Sequence, residues 1–238
     1  MSYDNYERAQ GWSEQSFGSY SSEQANYFEV ELRSLSIDAG KRLRVLDIGF
    51  GNGAFLGWAR ERGFQCEGIE INPRLVERAA GNEFRAATSL EGLHGLSDWR
   101  PYDLIAAFDV LEHIDRDSLV PFLRSLHTAC HSGTLILFRF PNGDNPFSLP
   151  VQNGDVTHRT SIGQSMLRQI AELSDLDVVA LGSPQQSTKG ASLTRKLAVA
   201  IGIPIRWVLG TLIRHLFMGG MAVVFSGNLV AVLKPRRS

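Results

Sequence analysis

Three short stretches of this chain hold the residue types that could do chemistry. The first is VLDIGFGNGAFL, residues 45–56, where an apolar run leads into Asp47 and glycines follow at positions 49, 51 and 53. Where a strand turns directly into a helix, unpaired backbone N–H groups converge on one point. Glycine there permits φ > 0 and removes the side chain that would hold a ligand at a distance. Gly49, Gly51 and Ala54 satisfy the G-x-G-x-x-G/A spacing of a dinucleotide loop, and Glu70, closing the run CEGIE, is an acid able to grip a ribose diol. The second stretch is FDVLEHI, 108–114, which sets Asp109, Glu112 and His113 after an apolar run. The third is PNGDNPFSLPVQNGDVTHRT, 141–160, with His158 near its end. Histidine exchanges a proton close to neutral pH, so His113 and His158 are the candidate bases.

Bulk composition narrows the classes. The 238 residues suffice for one large domain, or one domain with an insertion. Hydrophobic residues make up 43% and charged residues 21%, as in an ordinary globular protein. With 24 basic and 25 acidic residues the net charge is −1, which removes the electrostatic case for a nucleic-acid partner. Cys66 and Cys130 are the only cysteines and lie far apart, which argues against a disulfide framework or a cysteine-ligated zinc and fits a reducing cytosol. The N-terminal MSYDNYERAQ has no apolar signal core, so the expected location is cytoplasmic.

The elements that must position these stretches alternate along the chain. Ser21 with Gln24 reads as a capping box, and Phe28, Leu32 and Leu35 continue a helix at helical spacing. Strands are predicted at Leu43–Ile48, CEGIE, FRAAT, YDLIAAF, TLILFRF, LDVVALG and NLVAVLK. Helices are predicted over 53–62, stopped by Gly63, and from the Asn72–Pro73 pair to near Ala80. A further helix runs through Leu119 and Leu126 and closes near Gly133. Another follows a Ser161–Gln164 cap through Leu173. This alternation predicts an α/β fold, a doubly wound, seven-stranded sheet with helices on both faces. Ligands in such sheets bind beyond the carboxyl ends of the strands, and all three stretches fall at that edge. The expected organisation is an N-terminal helical lid (1–40), a core (41–191), an apolar and basic helical insertion (192–225) and a final core strand (226–238).

The combined motifs identify a family. Asp47, Gly49, Gly51 and Gly53 fit the acid and alternate glycines of Rossmann-like S-adenosylmethionine (SAM) enzymes. FDVLEHI closely resembles the segment after the fourth strand of class I SAM-dependent methyltransferases, and terminal NLVAVLK resembles a member of their closing strand pair. Residues 43–182 thus resemble a class I methyltransferase core, mostly parallel with an antiparallel last strand. The resemblance implies SAM as cofactor. It puts Asp47 near the methionyl ammonium, Gly49, Phe50, Gly51 and Gly53 in the cofactor loop, Glu70 on the ribose hydroxyls and Asp109 beside the methionine portion. Where the family sets an acid after the third strand, this chain has Ala87, Thr88 and Ser89, so the adenine contacts are not assigned.

Methyl transfer to a hydroxyl needs alignment and removal of a proton, for which His113 and His158 are the candidates. Asp109, Glu112 and His113 also match the array with which the ubiquinone-pathway O-methyltransferases hold a divalent ion. No metal site is assigned on that spacing. The 141–160 loop mixes hydrogen-bonding residues with Phe147, and its NPFSL…GD-x-TH segment resembles methyltransferases of bacterial surface-polysaccharide biosynthesis. The expected acceptor is therefore a hydroxyl of a polar small molecule, a sugar or glycolipid precursor. The alternatives are a quinol-type lipid acceptor, a SAM-binding protein without turnover, and an NAD-binding protein. The aromatics Tyr3, Tyr6, Trp12, Phe17 and Tyr20, with Tyr27, read either as a lid over the cofactor or as packing on the sheet edge.

Residues 192–225 are more apolar than an ordinary connection, but Arg206, Arg214, His215 and the Gly219–Gly220 pair interrupt them as a membrane span. On a helical wheel Arg195, Lys196, Arg206 and Arg214 share one sector, roughly opposite Leu197, Ile201, Val208, Leu212 and Leu216. With Trp207, that pattern suits an anionic membrane surface over 195–217, peripheral on the inner membrane. Packing over the sheet and a homodimer interface are the other readings, and Pro204 predicts two helices rather than one.

Overall fold

The computed structural model describes residues 11–35, 37, 42–95, 98–185, 192–220 and 224–236. Tyr3 and Tyr6 lie outside them, as do the side chains of Arg195 and Lys196. The seven predicted apolar runs are the strands β1 (Arg44–Ile48), β2 (Gln65–Ile69), β3 (Arg85–Ala87), β4 (Tyr102–Phe108), β5 (Cys130–Pro141), β6 (Leu176–Gly182) and β7 (Asn228–Pro235). They form one sheet in the order β3-β2-β1-β4-β5-β7-β6. The first five are mutually parallel, and β7 runs antiparallel to both of its neighbours. The order reverses between β1 and β4, so the connections leaving those strands diverge and open a crevice at their carboxyl ends.

Helices α1 (Ser22–Ser34), α2 (Ala54–Glu61), α3 (Pro73–Gly81), α4 (Leu90–His94), α5 (Arg116–Ser125), α6 (Leu149–Gln152), α7 (Gln164–Leu173) and α8 (Leu193–Phe217) complete the chain. Strand residues alternate between two cores. Leu46, Ile105 and Ile136 pack against Leu90 and Leu93 of α4, Leu119 and Leu123 of α5, and Leu167 of α7. Their sequence neighbours Val45, Leu104 and Leu137 face Phe28 and Leu32 of α1 and Phe55 and Trp58 of α2. Each such fully buried side chain contributes roughly 1.5–3 kcal/mol relative to exposure, so both faces hold the sheet rigidly beneath the crevice.

The predicted start signals mostly act as expected. Ser21 and Gln24 bond reciprocally at the head of α1, and the Asn72 carboxamide accepts the Arg74 N–H at 3.1 Å ahead of Pro73. The Ser161–Gln164 cap does not form. Gly163 is the N-cap of α7, and Asp144, twenty residues upstream, accepts the Gln164 N–H at 2.7 Å. Gly133 does not close a helix either, since α5 ends in a 3-10 turn (Leu126–Ala129) and β5 begins at Cys130. Short helices at Leu90–His94 and Leu149–Gln152 occur where none was predicted. The insertion is one helix, not two: α8 runs through Pro204, whose ring removes a single ladder hydrogen bond and kinks a helix without having to end it.

Candidate active site

The crevice encloses about 1410 Å³ along the carboxyl ends of β1, β2, β4 and β5. Pockets that take one drug-sized ligand measure about 300–1,000 Å³, so there is room for a cofactor and an acceptor together. Asp47, Gly49, Phe50, Gly51, Glu70 and Asp109 line it, and so do His113 and His158. Gly53 does not. It caps α2 with φ of +74°, and a Cβ there would meet the Phe17 ring at 2.7 Å.

Asp47 is the penultimate residue of β1 and is 2% exposed. Its Oδ2 has no hydrogen-bond partner, and burial, reinforced by Glu70, holds its carboxyl well above the usual range. A buried carboxylate of this kind is costly until a cation meets it. Glu70 follows β2 and accepts the Gly51 N–H through one oxygen and the Asn72 N–H through the other, each at 3.1 Å. The loop amides are also held internally: the Gly49 N–H bonds to the Ile69 carbonyl at 2.7 Å and the Gly53 N–H to the Phe50 carbonyl at 2.8 Å. Asp47 Oδ2, rather than the loop amides, is therefore the atom left without a partner. This donor set fits SAM, whose ammonium and sulfonium are cationic and whose ribose is a diol: Asp47 and Glu70 would hold it.

Residues 11–20 cross the glycine loop as a strap. The Gly18 N–H bonds to the Asn52 carbonyl at 2.8 Å, and Asn52 Nδ2 donates to the Ser16 carbonyl at 2.7 Å. Trp12 lies against Gly51, where a Cβ would stand 2.7 Å from the indole, and it lines the crevice. Phe17 is buried against Phe50 and Phe84. Tyr20 bonds to Glu61, and Tyr27 packs on Phe108 beneath the Arg139 guanidinium. Neither tyrosine lines the crevice, whereas Trp12 stands at its wall.

The other side of the crevice is built by the turn after β4 and the loop after β5. Asp109 adopts φ of +58°, a left-handed conformation that Asp tolerates better than most residues. Its carboxylate forms a two-point ion pair with Arg139 of β5, a partner no spacing in the sequence announced. Beyond it, His113 and His158 stand with ring centroids 4.9 Å apart. His158 Nδ1 lies 2.8 Å from the Gln152 carbonyl, which can only accept, so Nδ1 carries the hydrogen and Nε2 is the basic atom. Thr157 gives its hydroxyl hydrogen to Asp155 at 2.5 Å and therefore accepts from His113 Nδ1 at 3.0 Å, which again leaves Nε2 basic. Burial, then the neighbouring His158, lowers the His113 pKa. Glu112 is 1% exposed, and neither carboxylate oxygen has a hydrogen-bond partner. Burial pushes its pKa up to about 8, and Oε1 lies 3.9 Å from His158 Nε2. Among the described residues Glu112, His113 and His158 form one group able to hold a metal ion, their ligand atoms all within 4.8 Å of one another. Asp109, committed to Arg139, is not a member of it.

A Rossmann-like sheet with an antiparallel β7, an acid near the end of β1 beside the reversal point and another just beyond β2 define a class I SAM-dependent methyltransferase. A family model described as a methyltransferase domain matches residues 22–181, and the chain belongs to that family. It is an enzyme, and its cofactor is SAM. Solved structures share the fold. A SAM-dependent methyltransferase from Archaeoglobus fulgidus aligns with a TM-score of 0.62 and 21% identity over 98% of this chain and 100% of its own. One from Clostridium acetobutylicum gives 0.58 and 10% identity over 99% and 96%. Magnesium protoporphyrin IX methyltransferase from Synechocystis, solved with bound SAH, gives 0.55 and 14% identity over 89% and 83%. No curated protein matches the chain.

Proposed function

We propose that the enzyme methylates a hydroxyl of a polar acceptor, a sugar or glycolipid precursor. The observation that carries this reading is the pairing of His113 and His158, from segments 45 residues apart, with both Nε2 atoms basic beside the crevice. SAM, when bound, supplies an electrophilic methyl and its own leaving group, so the protein need not activate the donor. His158 is oriented by the Gln152 carbonyl and accepts the hydroxyl proton at Nε2. Glu112, protonated at neutral pH with its pKa near 8, adds no charge that would compete for that proton. His113, kept neutral by burial and aligned by Thr157, accepts a hydrogen bond from the acceptor. Asp109, tied to Arg139, fixes the turn that carries His113. Asp155, Thr157 and Arg159 of the same loop line the crevice and supply the polar character that a hydroxylated acceptor needs.

Incubation with methyl-labelled SAM and fractionated extract of the source cells tests the proposal. Label is expected in the saccharide or lipid-linked saccharide fraction, and label confined to protein or quinone would overturn it. A second reading is favoured by the Glu112, His113 and His158 cluster: a divalent ion there would hold the acceptor oxygen as a Lewis acid. Loss of activity in chelator, restored by Mg²⁺, Mn²⁺ or Zn²⁺, would select it over base catalysis by His158.

A further inference from the structure

Helix α8 is the part of the molecule the methyltransferase site does not explain. None of its stretch Leu197–Phe217 is buried, although that stretch is long and apolar enough to cross a membrane. Leu197, Ile201, Val208, Leu212 and Leu216 are exposed along one side, and Ile203, Trp207 and Phe217 along another. At 100° per residue this apolar surface is far wider than the stripe one rigid protein face covers. A fluid surface closes around such a helix, with long basic side chains reaching back to water.

The chain's connections forbid a span. Upstream, the Gln185 N–H is held by Glu31 at 2.6 Å, eight residues before α8 begins. Downstream, the Val224 carbonyl accepts from Asn142 Nδ2 at 2.7 Å, seven residues after Phe217. Seven residues reach at most about 25 Å, short of the ~30 Å of hydrocarbon. Irregular backbone cannot stand exposed in that layer either. Both ends of α8 therefore stay on one side of a bilayer, and the helix lies along it.

Charge selects the kind of surface. The α8 sequence carries Arg195, Lys196, Arg206 and Arg214 and no acidic residue, so this helix is cationic in a chain of net charge −1. Position ties it to the site. A Cβ on Gly210 of α8 would stand 3.3 Å from Phe225, whose ring lies 6.5 Å from that of Phe147 in the loop after β5. Phe147, Leu149, Val151 and Val156 of that loop are all exposed, and Val156 lines the crevice two residues before His158. An apolar rim thus runs from α8 to the acceptor side of the crevice.

We propose that α8 lies flat in the headgroup layer of an anionic membrane, with Phe147, Leu149 and Val151 on the same layer, so that the crevice takes a lipid-linked acceptor from that surface. The lipid contact stands on α8 alone; the lipid-linked acceptor rests on the hydroxyl-methylation reading. The test is flotation of the full chain with vesicles of phosphatidylcholine and of an equal mixture with phosphatidylglycerol. The chain floats with the anionic vesicles, and brominated lipid quenches Trp207, a signal that Trp207→Phe removes. Arg206→Gln/Arg214→Gln weakens anionic binding roughly thirtyfold, each basic residue near such a surface giving about fivefold. Ile201→Asp/Leu212→Asp abolishes flotation while SAM affinity by calorimetry stays unchanged, since α8 is not packed into the core. Absence of flotation, flotation that survives the aspartates, or a dimer formed through α8 in its place would overturn the lipid contact and leave the methyltransferase site untouched. Equal methylation of a lipid-free and a lipid-linked acceptor would overturn only the membrane delivery of the acceptor.

Discussion

Helices α5 and α8 are both rich in leucine, yet the molecule treats them oppositely. Leu119 and Leu123 of α5 are fully buried against the sheet, whereas Leu197, Leu212 and Leu216 of α8 face outward. The same contrast separates the charges. At the carboxyl ends of the parallel strands Asp47 and Glu112 are enclosed, and Asp47 Oδ2 and both Glu112 oxygens lack hydrogen-bond partners, while Arg206 and Arg214 ride on an open helix. Apolar composition states that a segment will leave water, not what will remove it from water. Enclosure by the protein makes a rigid site with perturbed carboxylates. Absence of enclosure leaves a surface for something else to cover.

The sharpest way to break this contrast is at the enclosed end. His158→Ala is expected to lower turnover by about 10²–10⁴-fold with SAM affinity unchanged, read by single-turnover kinetics beside calorimetry. Unchanged turnover would remove His158 from the chemistry. Next, Leu123→Ala should cost about 2–5 kcal/mol of stability, whereas Leu212→Ala should stay within about 0.5 kcal/mol. Equal losses in denaturant titration would mean that α8 is packed after all.

Glu112 sharpens the contrast through pH. Its carboxyl is raised in the fold to about 8, against about 4.3 for an unfolded chain. A raised acid contributes stability that is complete below its unfolded pKa and is lost as pH climbs through its folded one. Its contribution should therefore decline between about pH 4.3 and 8, and Glu112→Gln should flatten that part of the stability profile. An identical slope in the variant would assign the dependence elsewhere. At the rim of the crevice, Trp12→Ala should weaken SAM binding by about tenfold through lost cover, on the order of 1.4 kcal/mol of apolar contact, measured by titration. No change would make the strap a purely structural element.

Much of this was legible in the chain. All seven strands were readable because a sheet covered on both faces needs short continuous apolar runs, and Asp47 and Glu70 stood out by closing such runs. What escaped depended on neighbours distant in sequence. Asp144 takes the capping role expected of Ser161 because the loop after β5 folds back on α7. Arg139 reads as an ordinary strand residue until β4 and β5 pair and bring it to Asp109. Gly53 fits the glycine spacing, but that spacing does not announce that its missing side chain makes room for Phe17 of a strap more than thirty residues upstream. Glu112 and His158 meet because the loop after β5 lies over the turn after β4, a closure no local pattern encodes.

Titration with SAM in a calorimeter, wild type beside Asp47→Asn, tests the central claim most directly. The account predicts one SAM per chain for the wild type and a loss of about a hundredfold or more for the variant, the scale of removing one partner of a buried charge pair. The SAM-free variant should melt no lower than the wild type, because a buried carboxyl whose Oδ2 has no hydrogen-bond partner has been replaced by a neutral amide. Equal SAM affinity in the two proteins, or no heat from either, would contradict it.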